Sequence, residues 1–429
     1  DPVADNLSAL VAGTGGPCST TRCSDTVDPM RRGMRVGAAP DAGRDVVSRR
    51  TVLRWSGSAG VLAVAATVTQ GCTTPSDPGP GVDENGAWLA PGFTSRIIAR
   101  GGEPVPGVGT RYRIFPDGAA TFVDPAVVGG WYLAVNHEVP GGGGGVTSLR
   151  FAPDGTVVGA QRICSNTSLN CAGGATPWGT WLTCEEWDGG VVWECDPTGV
   201  EPARRRGAMG AFAHEAAAVA DDGRLYLTED RPDGGFYRFT PVAPGDLSDG
   251  LLEIATGTAP GAVTWAEVPN PRPAFAQAAC RRQVPGTVAF DGGEGVATQD
   301  GLVWFTTKGD NRVWEYDTGT ANVRLRYQAG GASVLSGVDN LWIDRSSGGL
   351  LVAEDGGNLE VVLLRPDNSV EALVRLPGQD ISEITGPCFS PDGQRLYFSS
   401  QRGPVGPAGL PLGITYEVRG PFDELLGRP

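Results

Sequence analysis

The feature that most constrains this chain is one hairpin pattern repeated six times. Each copy has a glycine turn, an apolar strand, a short polar turn and a second strand, and the copies begin at Gly130, Gly179, Gly223, Gly301, Gly349 and Gly393. Successive copies start 49, 44, 78, 48 and 44 residues apart. Four of these intervals match the ~40–50 residues of a propeller blade. The repeat therefore predicts an all-β fold, a six-bladed β-propeller.

Two details complete the predicted ring. The 78-residue interval indicates an insertion between the third and fourth copies, around residues 241–282. The segment Thr94–Arg100 is the candidate for the outer strand that closes the last blade. The alternative is a large β-sandwich or two barrels, but neither fold would repeat one hairpin at this spacing.

Charge and composition exclude some classes of function. The formal net charge is −15, which disfavours nucleic acid as a partner. The chain has only two histidines, His137 and His214, so a three-histidine zinc site is excluded. Metals and other small cationic ligands remain compatible with this charge.

The N-terminal region has the pattern of an export signal. Arg49 and Arg50 precede an apolar stretch, residues 57–69, which is typical of the twin-arginine route and too short to span a membrane. Cys72 stands where a lipoprotein signal places its acceptor, so lipidation and a membrane tether are open alternatives. We divide the chain into an export signal and leader (1–72), a flexible linker (73–87) and a propeller domain (88–429). We expect a monomer, exported to the cell envelope or beyond it.

Export to an oxidising compartment permits disulfides. Six cysteines follow Cys72, and their pairing cannot be deduced from the sequence. These cysteines are 164, 171, 184, 195, 280 and 388.

Acidic residues recur where a propeller would bring them to one end of its tunnel. The candidate metal ligands lie at inner-strand starts or at the turns after second strands, and they are Glu138, Cys184, Glu185, Glu215, Glu294, Asp339, Glu354 and Glu383. Carboxylates this close cannot all stay ionised without partners. Excess oxygen ligands suit Ca²⁺, and the Cys184 thiolate favours iron or another transition metal.

Other residues near these turns are less strongly indicated as metal ligands. Glu186, Asp230 and Asp355 are interpreted as solvated neighbours of the ligands, and His137, His214 and Asn340 as groups that orient ligands. Acids in such turns can instead cap strands, and Cys184 can instead pair with Cys171 or Cys195. Lys308, the only lysine in the chain, could hold an anionic substrate or a neighbouring carboxylate.

Several long segments resemble the PhoX family of secreted alkaline phosphatases, and in particular its shorter relatives. They include NHE (136–138), CAGGATPWGTWLTCEE (171–186), TTKGDNRVWEYD (306–317), VAEDGGNLE (352–360) and EITGPCFSPDGQRLYFSSQRG (383–403). The resemblance implies a propeller exported by the twin-arginine route, with a calcium and iron cluster at the tunnel mouth and Cys184 as the iron ligand. The chain has Arg402-Gly403 where the family pattern is expected to have His-Pro, which leaves the substrate open.

Three functions are compatible with these features. The first is metal-dependent hydrolysis of a small phosphomonoester, in which Ca²⁺ and Fe³⁺ neutralise the phosphate while Lys308 and Arg402 orient it. The second is a calcium-dependent lactonase or esterase of the gluconolactonase type, with Ca²⁺ held by residues such as Glu294, Asp339 and Asn340. The third is a non-catalytic calcium-binding module.

Overall fold

The computed structural model describes residues 81–330, 333–356, 358–406 and 409–428. The twin-arginine segment, Cys72 and residues 73–80 of the linker lie outside the described residues. The regular secondary structure of these residues is almost entirely β-strand, with one short helix, α1 (Phe422–Leu426), and two 3₁₀ turns, Gly207–Met209 and Cys280–Arg282. In this part of the chain no helix has the length and apolar character needed to cross a membrane.

The strands form antiparallel sheets in which consecutive strands are neighbours. The first sheet contains β3 (Pro116–Val123), β4 (Trp131–His137), β5 (Gly144–Phe151) and β6 (Val157–Thr167). The second contains β7 (Asn170–Ala175), β8 (Trp181–Glu185), β9 (Val192–Cys195) and β10 (Arg204–Arg205).

The middle of the chain forms one nine-stranded sheet. Its first half is β11 (His214–Val219), β12 (Leu225–Glu229), β13 (Phe236–Ala243), β14 (Asp246–Gly257) and β15 (Gly261–Glu267). Its second half is β16 (Gly293–Gln299), β17 (Leu302–Thr307), β18 (Arg312–Asp317) and β19 (Asn322–Gln328). The halves join where Gly261 and Ala262 of β15 pair with β19.

Two further sheets combine C-terminal strands with N-terminal ones. One contains β20 (Val338–Ile343), β21 (Leu350–Glu354), β22 (Glu360–Leu364) and β23 (Val370–Arg375), with β1 (Trp88–Leu89) at its edge. The other contains β24 (Ile384–Phe389), β25 (Leu396–Ser400) and β26 (Ile414–Arg419), with β2 (Thr94–Arg100) at its edge. The prediction that residues 94–100 close the last sheet is therefore confirmed, because β2 pairs with β26 from Thr94 opposite Arg419 to Arg100 opposite Ile414.

Six strand pairs recur in these sheets, and their first strands form a closed cycle. The pairs are β3–β4, β7–β8, β11–β12, β16–β17, β20–β21 and β24–β25. In space β3 contacts β7, β7 contacts β11, β11 contacts β16, β16 contacts β20, β20 contacts β24, and β24 contacts β3. The all-β architecture is thus propeller-like, with these first strands lining its axis.

The sequence explains why the strands form and where they turn. The second strand of each pair is buried on both faces, as in β4, and apolar side chains between neighbouring sheets form the core. Pro-Asp-Gly turns are present at residues 153–155 and 391–393, where Gly155 and Gly393 have φ of 87° and 72°, a conformation that favours glycine. The predicted insertion is confirmed as the long β14, the extra strand β15 and the 3₁₀ turn at Cys280.

Candidate metal centre

The same two positions of every strand pair carry a polar or charged side chain. The first position, here called the strand-start position, is the second residue of the first strand in five pairs and the residue just before β24 in the sixth: Asp117, Cys171, Glu215, Glu294, Asp339 and Glu383. The second, the strand-end position, immediately follows the second strand: Glu138, Glu186, Asp230, Lys308, Asp355 and Gln401.

A β-bulge sets the strand-start position in five of the six pairs. In the first sheet Pro116 pairs with His137 and Ala119 pairs with Val135, so Asp117 and Gly118 face the single residue Asn136. Equivalent register shifts follow Asn170, His214, Gly293 and Val338. A bulge interrupts the two-residue alternation of a strand and re-aims a side chain. Here it marks the residues that converge at the axis.

Eight carboxylates and one thiol form overlapping groups whose ligand atoms lie within 4.8 Å of one another. The groups are Glu138–Cys171–Glu186, Asp117–Glu138–Glu383, Glu215–Glu294–Asp339 and Asp339–Asp355–Glu383. Because successive groups share Glu138, Glu383 or Asp339, the second and fourth groups link the others into one set. We call these nine residues the carboxylate cluster.

The crowding of acidic groups in the carboxylate cluster raises the pKa values of its members. Burial, followed by the negative charges of Glu383, Glu138 and Asp339, raises the pKa of Asp117 well above its usual value. Burial and the charges of Asp117 and Glu215 likewise raise the pKa of the Cys171 thiol, whose Sγ lies 3.7 Å from Asp117 Oδ2. Without a cation, protons must therefore take up part of this charge.

Two basic side chains and the Gln401 amide contact the carboxylate cluster. The Lys308 ammonium forms an ion pair with Glu294 and lies 3.7 Å from Asp230 Oδ2, 3.9 Å from Asp339 Oδ2 and 3.7 Å from Asp355 Oδ2. Arg402 Nη1 lies 3.2 Å from Glu383 Oε1. Gln401 Nε2 donates to Asp117 Oδ2 and to Glu138 Oε2. The two basic groups therefore contact acids of the third to sixth strand pairs, whereas Cys171 is grouped with Glu138 and Glu186 of the first two pairs.

Five of the eight metal ligands predicted from the sequence belong to the carboxylate cluster: Glu138, Glu215, Glu294, Asp339 and Glu383. The other three, Cys184, Glu185 and Glu354, belong to none of the four groups. Cys184 faces the bulge of its strand pair, which lies between Asn170 and Gly173, and packs in an apolar core with Leu182 and Phe212. Cys171 is the cysteine whose Sγ lies in one of the four groups, and the role of Cys184 as the thiolate ligand stays a prediction.

Glu185 and Glu354 are the last residues of their strands, and their carboxylates accept hydrogen bonds from nearby backbone N–H groups instead. Glu185 accepts hydrogen bonds from the backbone N–H of Ser168 and Val191, and Glu354 accepts them from Ser336 and Glu360. Burial raises the pKa of Glu354 to about 8. Side chains that alternate along a strand point to opposite faces, so the neighbours Glu186 and Asp355 reach the carboxylate cluster and these two do not.

Of the three residues predicted to orient the metal ligands, one contacts the carboxylate cluster and two are part of the core. Asn340 contacts a cluster member, because its Nδ2 donates to Asp339 Oδ1 at 2.8 Å while its Oδ1 accepts from Gly386 N. His137 bonds to Thr147 and His214 to the Gly210 carbonyl, and burial lowers the pKa of each imidazole to about 3. Both histidines are thus neutral core residues.

The cluster also contains residues that the sequence analysis missed or discounted. Asp117 stands in Phe115-Pro116-Asp117-Gly118, which has the composition of a turn rather than of a strand start. From the sequence, Cys171 is predicted only as a disulfide partner, and Glu186 and Asp355 only as solvated neighbours of the ligands. Aligning the six copies by strand start would have found all four, since each occupies one of the two recurring positions.

Comparisons with known proteins identify a matching family and similar folds. The family model for alkaline phosphatase PhoX matches residues 136–403. PhoX from Pseudomonas fluorescens, solved with the transition state analogue vanadate, superposes with a TM-score of 0.64 at 18% identity, covering 78% of this chain and 96% of that one. This likeness shows a shared fold.

Two less similar structures also match. A luciferin-regenerating enzyme and the calcium-binding protein regucalcin from Agrobacterium tumefaciens each align at 15% identity with a TM-score of 0.46, covering 77% of this chain and 96% of theirs. No curated protein sequence matches the chain.

The matched segment spans more than half of the chain and eleven of the twelve strand-start and strand-end positions, from Glu138 to Gln401. The chain belongs to the PhoX family of alkaline phosphatases and is a phosphatase of that type.

Proposed function

We propose that the carboxylate cluster is the active site of this phosphatase and that it holds Ca²⁺ together with iron. The observation that carries the proposal is the convergence of eight carboxylates and one thiol from all six strand pairs. Ca²⁺ takes six to eight oxygen ligands, which carboxylates supply. Iron accepts a thiolate among its ligands, and Cys171 offers one.

The residues present fit such cations. Asp117 is fully buried beside other acids, which is tolerable for an ionised carboxylate only with a compensating charge. Gln401 Oε1, next to Asp117 and Glu138, is buried and accepts no hydrogen bond from the part of the chain that the structure describes. An amide oxygen in that situation is a further hard ligand.

The side of the cluster that binds iron follows from the position of the basic groups. Lys308 already supplies positive charge to Glu294, Asp230 and Asp355. Asp117, Glu138, Cys171 and Glu186 come from the first two strand pairs, and their two groups share Glu138. We therefore assign the softer metal to Cys171 and these neighbouring acids, and Ca²⁺ to sites that include Asp339 and Glu383.

Bound cations would supply Lewis-acid stabilisation of the phosphoryl oxygens and activate the nucleophile. This chain's own residues position the substrate. The side chain of Arg402 is 25% exposed and is held by Glu383, so its guanidinium meets solvent at the edge of the cluster, where it can bind a phosphate. Lys308, 14% exposed, keeps the charges of its four acidic partners fixed rather than meeting solvent directly.

The number of blades and the export of the protein are also inferred. We infer that each strand pair begins one blade, giving six blades, with the nine-stranded sheet made of two blades joined through β15 and β19. We also infer a monomer exported by the twin-arginine route, acting on a small phosphorylated substrate outside the cytoplasm. Cys72 would tether the protein to a membrane if it is acylated.

The test combines elemental analysis with turnover of p-nitrophenyl phosphate at alkaline pH. We expect purified protein to contain both calcium and iron, and to lose at least 90% of its activity on prolonged chelation. Hydrolysis that is indifferent to a chelator, or protein that binds neither metal when both are supplied, would contradict the metal assignment.

A matched pair of variants locates the substrate site. Arg402→Gln should raise KM for the phosphate ester by about tenfold, since one charge-assisted contact contributes roughly 1.5–3 kcal/mol. Arg96→Gln changes another arginine paired with a buried glutamate, Glu417, and should leave KM unchanged. Equal effects of the two variants would contradict the role of Arg402.

A further inference from the structure

The insertion between the third and fourth strand pairs carries two arginines that contact the third pair. Arg281 and Arg282 lie in the 3₁₀ turn Cys280–Arg282. The Arg281 guanidinium donates from Nη1 to Glu229 Oε1 at 2.6 Å and from Nε to Asp233 Oδ1 at 2.8 Å. The Arg282 guanidinium donates from Nε to Asp233 Oδ2 at 2.9 Å. Ion pairs thus join the insertion to the turn that follows β12.

The ion pair between Arg281 and Glu229 is buried, with side chains that are 9% and 0% exposed. Glu229 Oε2 also accepts a hydrogen bond from the Tyr237 hydroxyl at 2.7 Å. Glu185 and Glu354 end the second strands of other pairs, as Glu229 does here, and accept backbone N–H groups. A carboxylate this deeply buried is stable in its charged form only beside a compensating charge, which the insertion supplies.

The part of the insertion that carries both arginines is itself fixed. Cys280 is fully buried in the apolar core. The Ala211 N–H donates to the Pro271 carbonyl at 2.7 Å. The Asn270 N–H donates to Gln283 Oε1, and Gln283 Nε2 donates back to the Asn270 carbonyl, both at 2.8 Å. The arginines therefore lie on a segment that is bonded to the rest of the domain.

Backbone hydrogen bonds lead from the turn after β12 to Lys308. The Arg231 carbonyl accepts from Gly234 N–H at 2.8 Å and from Gly292 N–H at 2.9 Å. The Gly234 carbonyl accepts from Phe290 N–H at 2.9 Å, and the Gly292 carbonyl accepts from Lys308 N–H at 2.8 Å. The turn is therefore bonded to the segment before β16, and that segment is bonded to the backbone of Lys308.

The turn after β12 also carries an acidic partner of Lys308, because Asp230 Oδ2 lies 3.7 Å from Lys308 Nζ. We propose that Arg281 is a positioning residue: its ion pair with Glu229 holds this turn, and through the turn it holds Lys308 in place against the carboxylate cluster. The expected effect on turnover rests on the proposed active site. The effect on Lys308 itself can be measured without turnover.

Displacement of Lys308 would move the charge that faces Glu294, Asp339 and Asp355. Loss of a residue that supports metal ligands typically costs 10–100-fold in activity or metal affinity. We therefore expect Arg281→Gln to lower kcat by about tenfold. KM should stay within a factor of three, since Arg402, which is proposed to bind the phosphate, keeps its contact with Glu383.

Lys308 is the only lysine in the chain, so an amine reagent reports on its surroundings. Native protein is treated with light acetic anhydride for increasing times, and is then unfolded and fully acetylated with the heavy isotopic form. Trypsin does not cut at acetylated lysine, so the peptide 283–312 carries the light-to-heavy ratio of Lys308. An ammonium held among acids keeps its proton and reacts slowly, so Arg281→Gln should raise the rate at least about threefold.

Two matched variants separate positioning from a general loss of stability. Arg282→Gln removes the neighbouring arginine, which pairs with Asp233. Arg395→Gln breaks a comparably buried pair with Glu417, whose side chains are 7% and 2% exposed, at the end of β25 farther from the carboxylate cluster. Both should keep the wild-type rate of acetylation and the wild-type kcat within a factor of two, although Arg395→Gln lowers the melting temperature. An unchanged rate in Arg281→Gln, or an equal rise in either control, would overturn the proposal.

Glu229→Gln breaks the same ion pair and keeps an amide oxygen that can accept from Tyr237. It should show the same faster acetylation, and the double variant with Arg281→Gln should react no faster than either single variant, because both changes remove one interaction. Additive effects would overturn the proposal, and so would wild-type protection of Lys308 in Glu229→Gln, even if Arg281→Gln fails to fold. A wild-type chain that hydrolyses no phosphate ester would contradict the proposed function instead, while the acetylation rates would still decide whether Arg281 positions Lys308.

Discussion

At the scale of single residues, one position along a strand separates a cluster residue from a structural residue. Glu185 and Glu186 are adjacent, yet Glu185 accepts backbone hydrogen bonds and Glu186 approaches Cys171. Glu354 and Asp355 show the same division. The sequence predicts that acids converge at the axis, because the repeated positions are visible in it. It does not fix which of two neighbouring acids faces inward, since that depends on the strand register.

Substitutions of Cys171 and Cys184 test this strand register most directly. We expect Cys171→Ser to lose iron and at least about 100-fold in kcat, since losing even a residue that only supports a metal ligand typically costs 10–100-fold. Cys184→Ser places a hydroxyl in an apolar site and should lower the free energy of unfolding by about 1–3 kcal/mol. Its folded protein should keep its iron and its kcat within a factor of three. Iron analysis and kinetics check both, and loss of iron from Cys184→Ser alone would restore the original assignment.

The adjacent glutamates provide a second pair. Glu186→Gln removes a charge from the carboxylate cluster, so we expect at least tenfold lower kcat with little change in melting temperature. Glu185→Gln replaces an acceptor of two backbone N–H groups and the Trp193 indole, so it should cost about 1–3 kcal/mol of stability and leave kcat nearly unchanged. Steady-state kinetics and thermal melts separate the two. The opposite division of effects would show that Glu185 faces the metals.

At the scale of secondary structure, the hairpins could be predicted and the bulges could not. Turn residues and apolar runs mark where each strand begins and ends, which is why the six copies, the insertion and the closing strand were found. A bulge has no such signal in Pro116-Asp117-Gly118, whose composition is that of a turn. Its residues are recognisable only once the partner strand fixes how many residues face Asn136.

Close packing between first strands makes the bulge sensitive to one methyl group. A Cβ at Gly118 would lie 2.6 Å from Ala172 Cα and 2.9 Å from the Cys171 carbonyl oxygen, so β3 and β7 would have to separate. We expect Gly118→Ala to cost about 1–3 kcal/mol and to reduce bound iron and activity together. Melting curves and metal analysis check this.

Gly159→Ala is the matched control for that substitution. Gly159 lies on β6, and a Cβ there would come no nearer than 3.4 Å to Arg150 Cβ, an ordinary contact. We expect wild-type iron content and activity from it. Normal iron in Gly118→Ala would contradict the link between strand spacing and the carboxylate cluster.

At the scale of the whole molecule, the ring brings together charges that are far apart in sequence. Asp117 and Glu383 are 266 positions apart, yet Glu383 is the charged group that most raises the pKa of Asp117. The repeat predicts this convergence, because equivalent positions of a closed ring face one axis. The pairing of charges within the ring is not predictable in the same way, since Lys308 meets acids from several strand pairs at once.

This convergence makes the stability of the metal-free protein fall as the pH rises. Folding raises the pKa of Asp117 well above its usual value and that of Glu354 to about 8, so the folded state holds protons that the unfolded state has lost. Their stabilisation is complete below about pH 4, the unfolded pKa, and is lost as the pH rises through the folded values. We expect chelator-treated protein to lose up to about 1.4 kcal/mol per pH unit for each such group between pH 6.5 and 8.

Both histidines are neutral in the folded and the unfolded protein for most of that window, so they contribute little to the slope. Protein saturated with Ca²⁺ should show a much smaller fall, because a bound cation stabilises the ionised carboxylates of the cluster. Glu354→Gln should remove only the share of the slope that belongs to Glu354. Denaturant titrations at pH 6.5, 7.2 and 8 measure all three, and a metal-free protein whose stability is constant or rises over this range would show that its acids are not crowded as the ring requires.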